Sequence, residues 1–331
     1  MSSRALALAV VAAVCLIGGG AYVTFAALTA DGTTSKARSR IVVSPGADLP
    51  RGSELMVRAV DLGNPRLNGR VFVAPLAAGA TPSRAGDLAC ERVYANAAGD
   101  GLCLAVARNG VDYDAIVFGP DYRPRRKFSI PGVPDRARVS ADGRYGALTT
   151  FLSGHTYSAG VRQFSTHTAI VDMRSGKQLL NLDELRITRD GERLERADAN
   201  LWGVTFAGGS RFYATLGAEG RHHLIEGDVE TRDARVVREH VECPSLSPDG
   251  TRIAYKRRIG DLDSWRLHVL DIRSGRDVAL AERRSIDDQP EWLGDRHVVY
   301  SDDRSVYAVR ADGSGRPERL VARASSPVGL P

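Results

Sequence analysis

Cys243-Pro244-Ser245-Leu246-Ser247-Pro248-Asp249-Gly250-Thr251-Arg252-Ile253-Ala254-Tyr255 reads as a strand, a tight turn and a second strand. Pro248 presets φ at the first turn position. Asp249 has a side chain short enough to cap the turn. Gly250 supplies the positive φ that closes a bulged hairpin. Beyond the turn, Ile253 and Tyr255 alternate with Arg252, Ala254 and Lys256, which is the pattern of a half-buried strand.

The hairpin recurs. A second copy spans 138–148 and turns at Ser140-Ala141-Asp142-Gly143. Degenerate copies span 202–213 and 290–300, and a further one spans 94–107 with its turn at Gly99-Asp100-Gly101. The copies lead into β-rich strands at 71–75, 115–119, 168–172, 223–228, 267–271 and 306–310, whose centres recur at intervals of about 40 to 56 residues. A period of ~40–45 residues with four strands each marks propeller blades, and longer intervals place insertions on loops. Val171-Asp172-Met173-Arg174-Ser175-Gly176-Lys177 and Val269-Leu270-Asp271-Ile272-Arg273-Ser274-Gly275-Arg276 are near-copies that join the third and fourth strands of a blade. The expected fold class is all-β, a six-bladed β-propeller preceded by one N-terminal transmembrane or signal-anchor helix. The inner strand of the first blade stays open between 41–44 and the segment after Leu320.

The repeat at 244–255, supported by 139–148 and 290–300, resembles the TolB-like (WD40-like) β-propeller repeat family. The blocks 136–140, 154–157, 164–166, 200–206, 212–215, 242–245 and 287–289 resemble membrane-anchored members of that family from the envelopes of GC-rich bacteria. The resemblance covers roughly 55–321. It implies the fold and an envelope location, and by analogy docking to other envelope proteins. It implies no reaction.

The chain has 331 residues and a formal net charge of +5, mostly from arginine, since lysine occurs only at Lys36, Lys127, Lys177 and Lys256. Acidic residues are interspersed, so no nucleic-acid partner is expected. The one dense basic run, Arg123-Pro124-Arg125-Arg126-Lys127, reads as a solvated loop, with a polyanion or lipid-headgroup site as its alternative. The uncharged apolar run 5–30 exceeds the ~20 residues a spanning helix needs. It reads as an uncleaved signal anchor, or as a signal peptide cleaved near Thr24-Phe25-Ala26. Lipidation at Cys15 is disfavoured by the preceding Val14. The flanking charges, Arg4 before and Lys36, Arg38 and Arg40 after, allow either orientation. A large all-β domain translocates largely regardless of charge, so the propeller is expected outside the cytoplasm. The expected organisation is a cytoplasmic 1–4, a membrane segment 5–30, a tether 31–50, the propeller 51–323 and a C-terminal tail 324–331. The protein is expected to be a single-pass cell-membrane monomer, or secreted if cleaved.

Cys90 and Cys103 flank the turn at 99–101, and a disulfide between them suits an extracytoplasmic site; two buried thiols are the alternative. Cys243 reads as a buried free thiol. The sequence holds no Gly-x-Ser-x-Gly elbow, no Walker loop and no His-Glu-x-x-His. His222 and His223 are adjacent on a strand and point to opposite faces. His155 and His167, near Tyr157 and Ser165, read as loop histidines bonded to backbone.

Position therefore selects the candidate site. Residues before and on each inner strand surround the mouth of a propeller's central channel. Here they are Arg136, Arg138, Asn200, Trp202, Glu242, Asp287 and Asp288. Arg136 or Arg138 pairing with the acids to lock adjacent blades is the structural reading. Binding a partner is the functional one. The Asp287-Asp288 pair could also take Ca²⁺, although no metal or other cofactor is otherwise indicated. Trp202 and Trp292 read as core wedges, whereas Trp265, if exposed, would suit a protein contact. The expected function is a non-enzymatic, extracytoplasmic scaffold that binds an envelope protein. The alternative is a small-ligand or metal-dependent propeller that works through its funnel.

Overall fold

The computed structural model describes residues 41–44, 46, 49, 52–153, 164–194, 199–260 and 264–330. The expected membrane segment, most of the tether, His155 and Tyr157 lie outside them. Among the described residues no helix is long and apolar enough to cross a membrane.

Six sheets, antiparallel except for one added pairing in blade four, form six blades. From blade one to blade six the inner strands are Ala324–Leu330, Arg92–Ala95, Val133–Val139, Asn200–Phe206, Glu242–Leu246 and Glu291–Leu293. The third strands are Arg70–Pro75, Tyr113–Phe118, Ser165–Asp172, Arg221–Asp228, Ser264–Asp271 and Ser305–Arg310, each enclosing or nearly matching its expected position. The turns from first to second strand and from third to fourth lie on one side of the disc, here called the turn face. The links from second to third strand, and from blade to blade, lie on the other, the mouth face.

Local chemistry builds the turns. In blade five Ser247 Oγ donates to Asp249 Oδ1 (2.5 Å), which also accepts from Thr251 N, and Arg252 N donates back to Ser247 Oγ. Gly250 sits at φ +72°. Ser140, Asp142 and Gly143 repeat this arrangement in blade three. In the third-to-fourth turns Asp172 and Asp271 each accept from the backbone N–H three residues on, at 2.7 Å.

Four sequence expectations need correction. Residues 324–330 are not a tail: they are the inner strand of blade one, paired from Ala324↔Ala59 to Leu330↔Glu54. Val42–Val43, inside the expected tether, pairs with Glu318–Ala322 as an added outer strand of blade six. Each terminus of the disc is thus tied to a blade built mainly from the other end of the chain. The long interval before blade four is more than a loop. It contains a 3₁₀ turn, Leu182–Glu184, and the strand Arg186–Arg189, which extends blade four by pairing in parallel with Asp233–Glu239. The basic run is not a loop either, because Pro124–Ile130 is the outer strand of blade two.

The core lies between blades, in apolar layers that join successive sheets. Both faces of most strands are therefore covered. This is why Arg252–Ile259 departs from half-buried alternation: Ala254 and Lys256 are as buried as Ile253 and Tyr255. Cys90 and Cys103 form a disulfide with a Cα–Cα distance of 5.4 Å. Cys243 is free and buried.

Candidate functional site

The inner strands place charged side chains on the propeller axis, where they meet one another across the channel. Arg138 of blade three pairs with Glu291 of blade six at 2.8 Å and donates to the Pro290 carbonyl at 3.0 Å and to Ser245 Oγ of blade five at 3.4 Å. Its guanidinium lies 4.6 Å from the ring centre of Tyr94 in blade two. Arg136 pairs with Asp135 on its own strand at 2.7 Å and with Asp288, on the link into blade six, at 3.9 Å. Arg92 of blade two lies 3.8 Å from both Asp135 and Asp288. Asp288 also accepts from Ser301 N, and Gln289 donates to the Pro244 carbonyl. The sequence expectation had these arginines locking adjacent blades. They lock opposite ones, because blades three and six face each other across a six-membered ring.

Asp287 pairs with Lys256 of blade five, whose ammonium is fully buried and lies 4.6 Å from the ring centre of Trp265. Burial opposes charge on Asp287, but Lys256, Arg136 and Arg92 outweigh it and hold the carboxyl below its ordinary range. The positive charge that Asp287 and Asp288 face is thus supplied by Lys256, Arg136 and Arg92. Both carboxylates expected to take Ca²⁺ are thus engaged by cationic side chains of the chain itself. Among the described residues no group of three His, Cys, Asp or Glu side chains is arranged to hold a metal. Burial pushes the Glu291 carboxyl up, against the pull of Arg138.

Glu242, Asn200 and Trp202 form a second cluster over blades three to five, joined to the first through Lys256 and Trp265. Glu242 is buried and accepts from Trp265 Nε1 at 3.0 Å, while His222 Nδ1 lies 2.7 Å away. Burial alone would raise its carboxyl, but the His222 hydrogen bond, with the charges of His222, Lys256 and Arg258, keeps it depressed. Asn200 bridges two blades: its Oδ1 accepts from Thr166 N and Oγ1, and its Nδ2 donates to the Phe164 carbonyl. Trp202 is 1% exposed and meets Phe164 and His222 edge-on. Trp265, at 3% exposure, is buried and not a surface contact. Trp292 is also buried and donates Nε1 to the Ser245 carbonyl. His167 lies within the third strand of blade three, opposite Thr150.

The two groups do not form one mouth lined with free side chains. Among the described residues these side chains fill the stretch of the axis they line, and the cavity bounded by Arg92, Asp135, Arg136, Arg138, Asp288 and Gln289 is about 20 Å³. Pockets for small organic ligands typically measure ~300 Å³ or more. Sequence reasoning missed Arg92, Asp135, Lys256, Gln289 and Glu291. Asp135 beside Arg136 was a visible signal. Lys256 was hidden by the alternation that read it as outward-facing.

No protein-family model and no curated protein matches the chain. Solved structures do. TolB from Acinetobacter baumannii superposes at a TM-score of 0.60 with 14% identity, over 85% of this chain and 67% of that one. A chain of a nidogen/laminin complex superposes at 0.54 with 11% identity, over 85% of this chain and 99% of that one. At such identities the likeness speaks for fold alone, and together with the blade topology it makes this chain a six-bladed β-propeller of TolB-like fold.

Proposed function

We propose that the chain is a non-enzymatic, extracytoplasmic protein-binding propeller, tethered to the cell membrane through its N-terminal segment, whose docking surface is the mouth face. The distribution of exposed apolar side chains carries this reading. Leu62, Val106, Val111, Leu152 and Ile259 are exposed, and all lie on or beside the second-to-third-strand links of blades one, two, three and five. Val42 is exposed at the mouth-side end of its strand, and Val237 is exposed on Asp233–Glu239, the fourth strand of blade four. Apolar anchors within a polar rim are what a protein partner recognises. The turn face is instead built from Asp-Gly and Asp-x-x-Ser turns.

The Cys90–Cys103 disulfide supports an oxidising compartment. One structural neighbour belongs to a protein–protein complex, which is in keeping with a docking role. Catalysis or small-ligand binding in the funnel, the alternative, has against it the small cavity, about 20 Å³, left among the axial charged side chains.

The test is site-specific photocrosslinking in intact cells, comparing wild type with a Leu62→Ser, Val111→Ser, Leu152→Ser triple variant. These side chains are exposed, so folding should survive. The expected result is a discrete crosslinked partner that the variant loses. Undiminished crosslinking in the variant would remove the mouth face as the docking surface. Proteolysis of intact cells from outside checks the location, because an extracytoplasmic propeller is accessible there.

A further inference from the structure

The turn face carries a groove of about 480 Å³ between blades two and three, lined by Asp100, Val117, Arg125, Arg126, Gly143, Met173 and Arg174. It lies on the opposite face from the docking surface above and does not depend on that reading. Its cations come from two blades: Arg125 and Arg126 from the outer strand of blade two, and Arg174 from the third-to-fourth turn of blade three.

The arginines differ in how they are engaged. Arg125 is tied down by Asp100 at 3.1 Å, and its guanidinium packs over Gly119, where an added Cβ would lie 2.0 Å from its Nη2. Arg126 donates Nε to the Arg174 carbonyl at 3.0 Å, with a weaker contact from Nη1 to the Arg125 carbonyl. These acceptors are neutral, so its charge meets no carboxylate. Among the described residues Arg174 likewise has no carboxylate within salt-bridge distance. Three guanidinium groups face one carboxylate, a surplus of two positive charges. Val117 and Met173, both buried, form an apolar floor beneath them.

We propose that this groove binds a phosphate monoester, with Arg126 and Arg174 holding the phosphoryl oxygens and Val117 and Met173 accommodating part of the attached carbon skeleton. Two features select the ligand. A monoester carries about −1.5 to −2 at neutral pH, matching the surplus, whereas a diester or a single carboxylate carries −1. The planar guanidinium fork suits bidentate contact with phosphoryl oxygens. Asp100 neutralises and positions Arg125, leaving the other two to face the ligand. The carbon skeleton could belong to a soluble phosphorylated compound or to a lipid with a monoester headgroup.

Calorimetric titration of the full-length protein with glycerol 3-phosphate, dihexanoyl phosphatidic acid and dimethyl phosphate tests this. The first two are monoesters, one soluble and one lipid-like, and the third is a diester. At least one monoester should bind saturably, and more tightly than dimethyl phosphate. Preference for glycerol 3-phosphate assigns a soluble ligand, and preference for the short-chain lipid a headgroup. An Arg126→Gln, Arg174→Gln variant should weaken binding by about tenfold or more. Lys177→Gln, which removes an exposed cation outside the groove, should not. Absence of saturable monoester binding, equal binding of the diester, or equal losses in both variants would each overturn the site.

Discussion

At the scale of single residues, the positions read correctly from sequence are those whose chemistry is satisfied locally. Gly250 and Asp249 form their turn with partners at most three residues away, so the segment alone specifies it. Gly250 has nothing within 4 Å of an added Cβ, so only its φ of +72° opposes substitution. Gly250→Val should therefore cost roughly 1–2 kcal/mol, the penalty of left-handed backbone, and lower the thermal midpoint by a few degrees. An unchanged midpoint would mean the turn tolerates a β-branched residue. Cys243 was legible as a buried thiol but not as a strained one. Its φ is +50°, with its N–H donated to Thr215 Oγ1, because the inner strands of blades four and five cross closely there. A Cβ on Gly203 would stand 3.0 Å from Cys243 Cα.

The turn aspartates also set the acid response. Serine hydroxyl bonds, with backbone N–H groups, hold Asp142, Asp172, Asp228 and Asp271 below the ordinary carboxylate range and Asp312 at about 2. Their folded pKa values lie below the unfolded ones, so the stability they contribute is present above about pH 4 and is lost as pH falls toward 2. His223 and His268 are depressed by burial first. The unfolded chain then takes up those protons first as pH falls below about 6.5, which also favours unfolding. Urea midpoints should fall from pH 7 to 5 and further to 3. A midpoint that holds between pH 5 and 3 would contradict the assignment.

At the scale of elements, the third strands were legible because each ends in a turn with its own signature. Strand faces were less so. Alternation reports burial only when one face meets water, and between blades neither does. Lys256 is the clearest case: it reads as a solvent-facing neighbour of Tyr255 yet sits fully buried between Asp287 and Trp265. The disulfide is an element-level staple that spans 13 residues across blades one and two. Reduction, or a Cys90→Ala, Cys103→Ala variant, should cost about 3 kcal/mol or less, read as a lower denaturation midpoint with the native circular dichroism retained. No shift in midpoint would argue against the bond as a stabilising link.

At the scale of the whole molecule, the axial pairs were the least legible feature. Arg138 and Pro290 are separated by 152 residues and belong to opposite blades, so no local window contains both. Ring closure was similarly ambiguous, since both terminal segments were candidates for one place and each took a different one. Removal of residues 324–331 would strip blade one of its inner strand and leave Leu55, Met56 and Val57 uncovered. That truncation should abolish cooperative unfolding. A truncated chain that still melts in one sharp transition would show that closure does not depend on this strand. The axis therefore ties opposite blades together, and the proposed binding surfaces lie on the faces.

The most direct test of that division compares Arg138→Lys with the Leu62→Ser, Val111→Ser, Leu152→Ser variant, reading thermal midpoint and in-cell crosslinking for both. Arg138→Lys keeps the charge but loses the forked contacts to Glu291, Pro290 and Tyr94, at a cost of roughly 1–3 kcal/mol. The expected result is a lowered midpoint with the crosslinked partner retained for Arg138→Lys, and an unchanged midpoint with the partner lost for the face variant. Partner loss on Arg138→Lys at an unchanged midpoint, with the face variant crosslinking normally, would place binding on the axis and contradict this division.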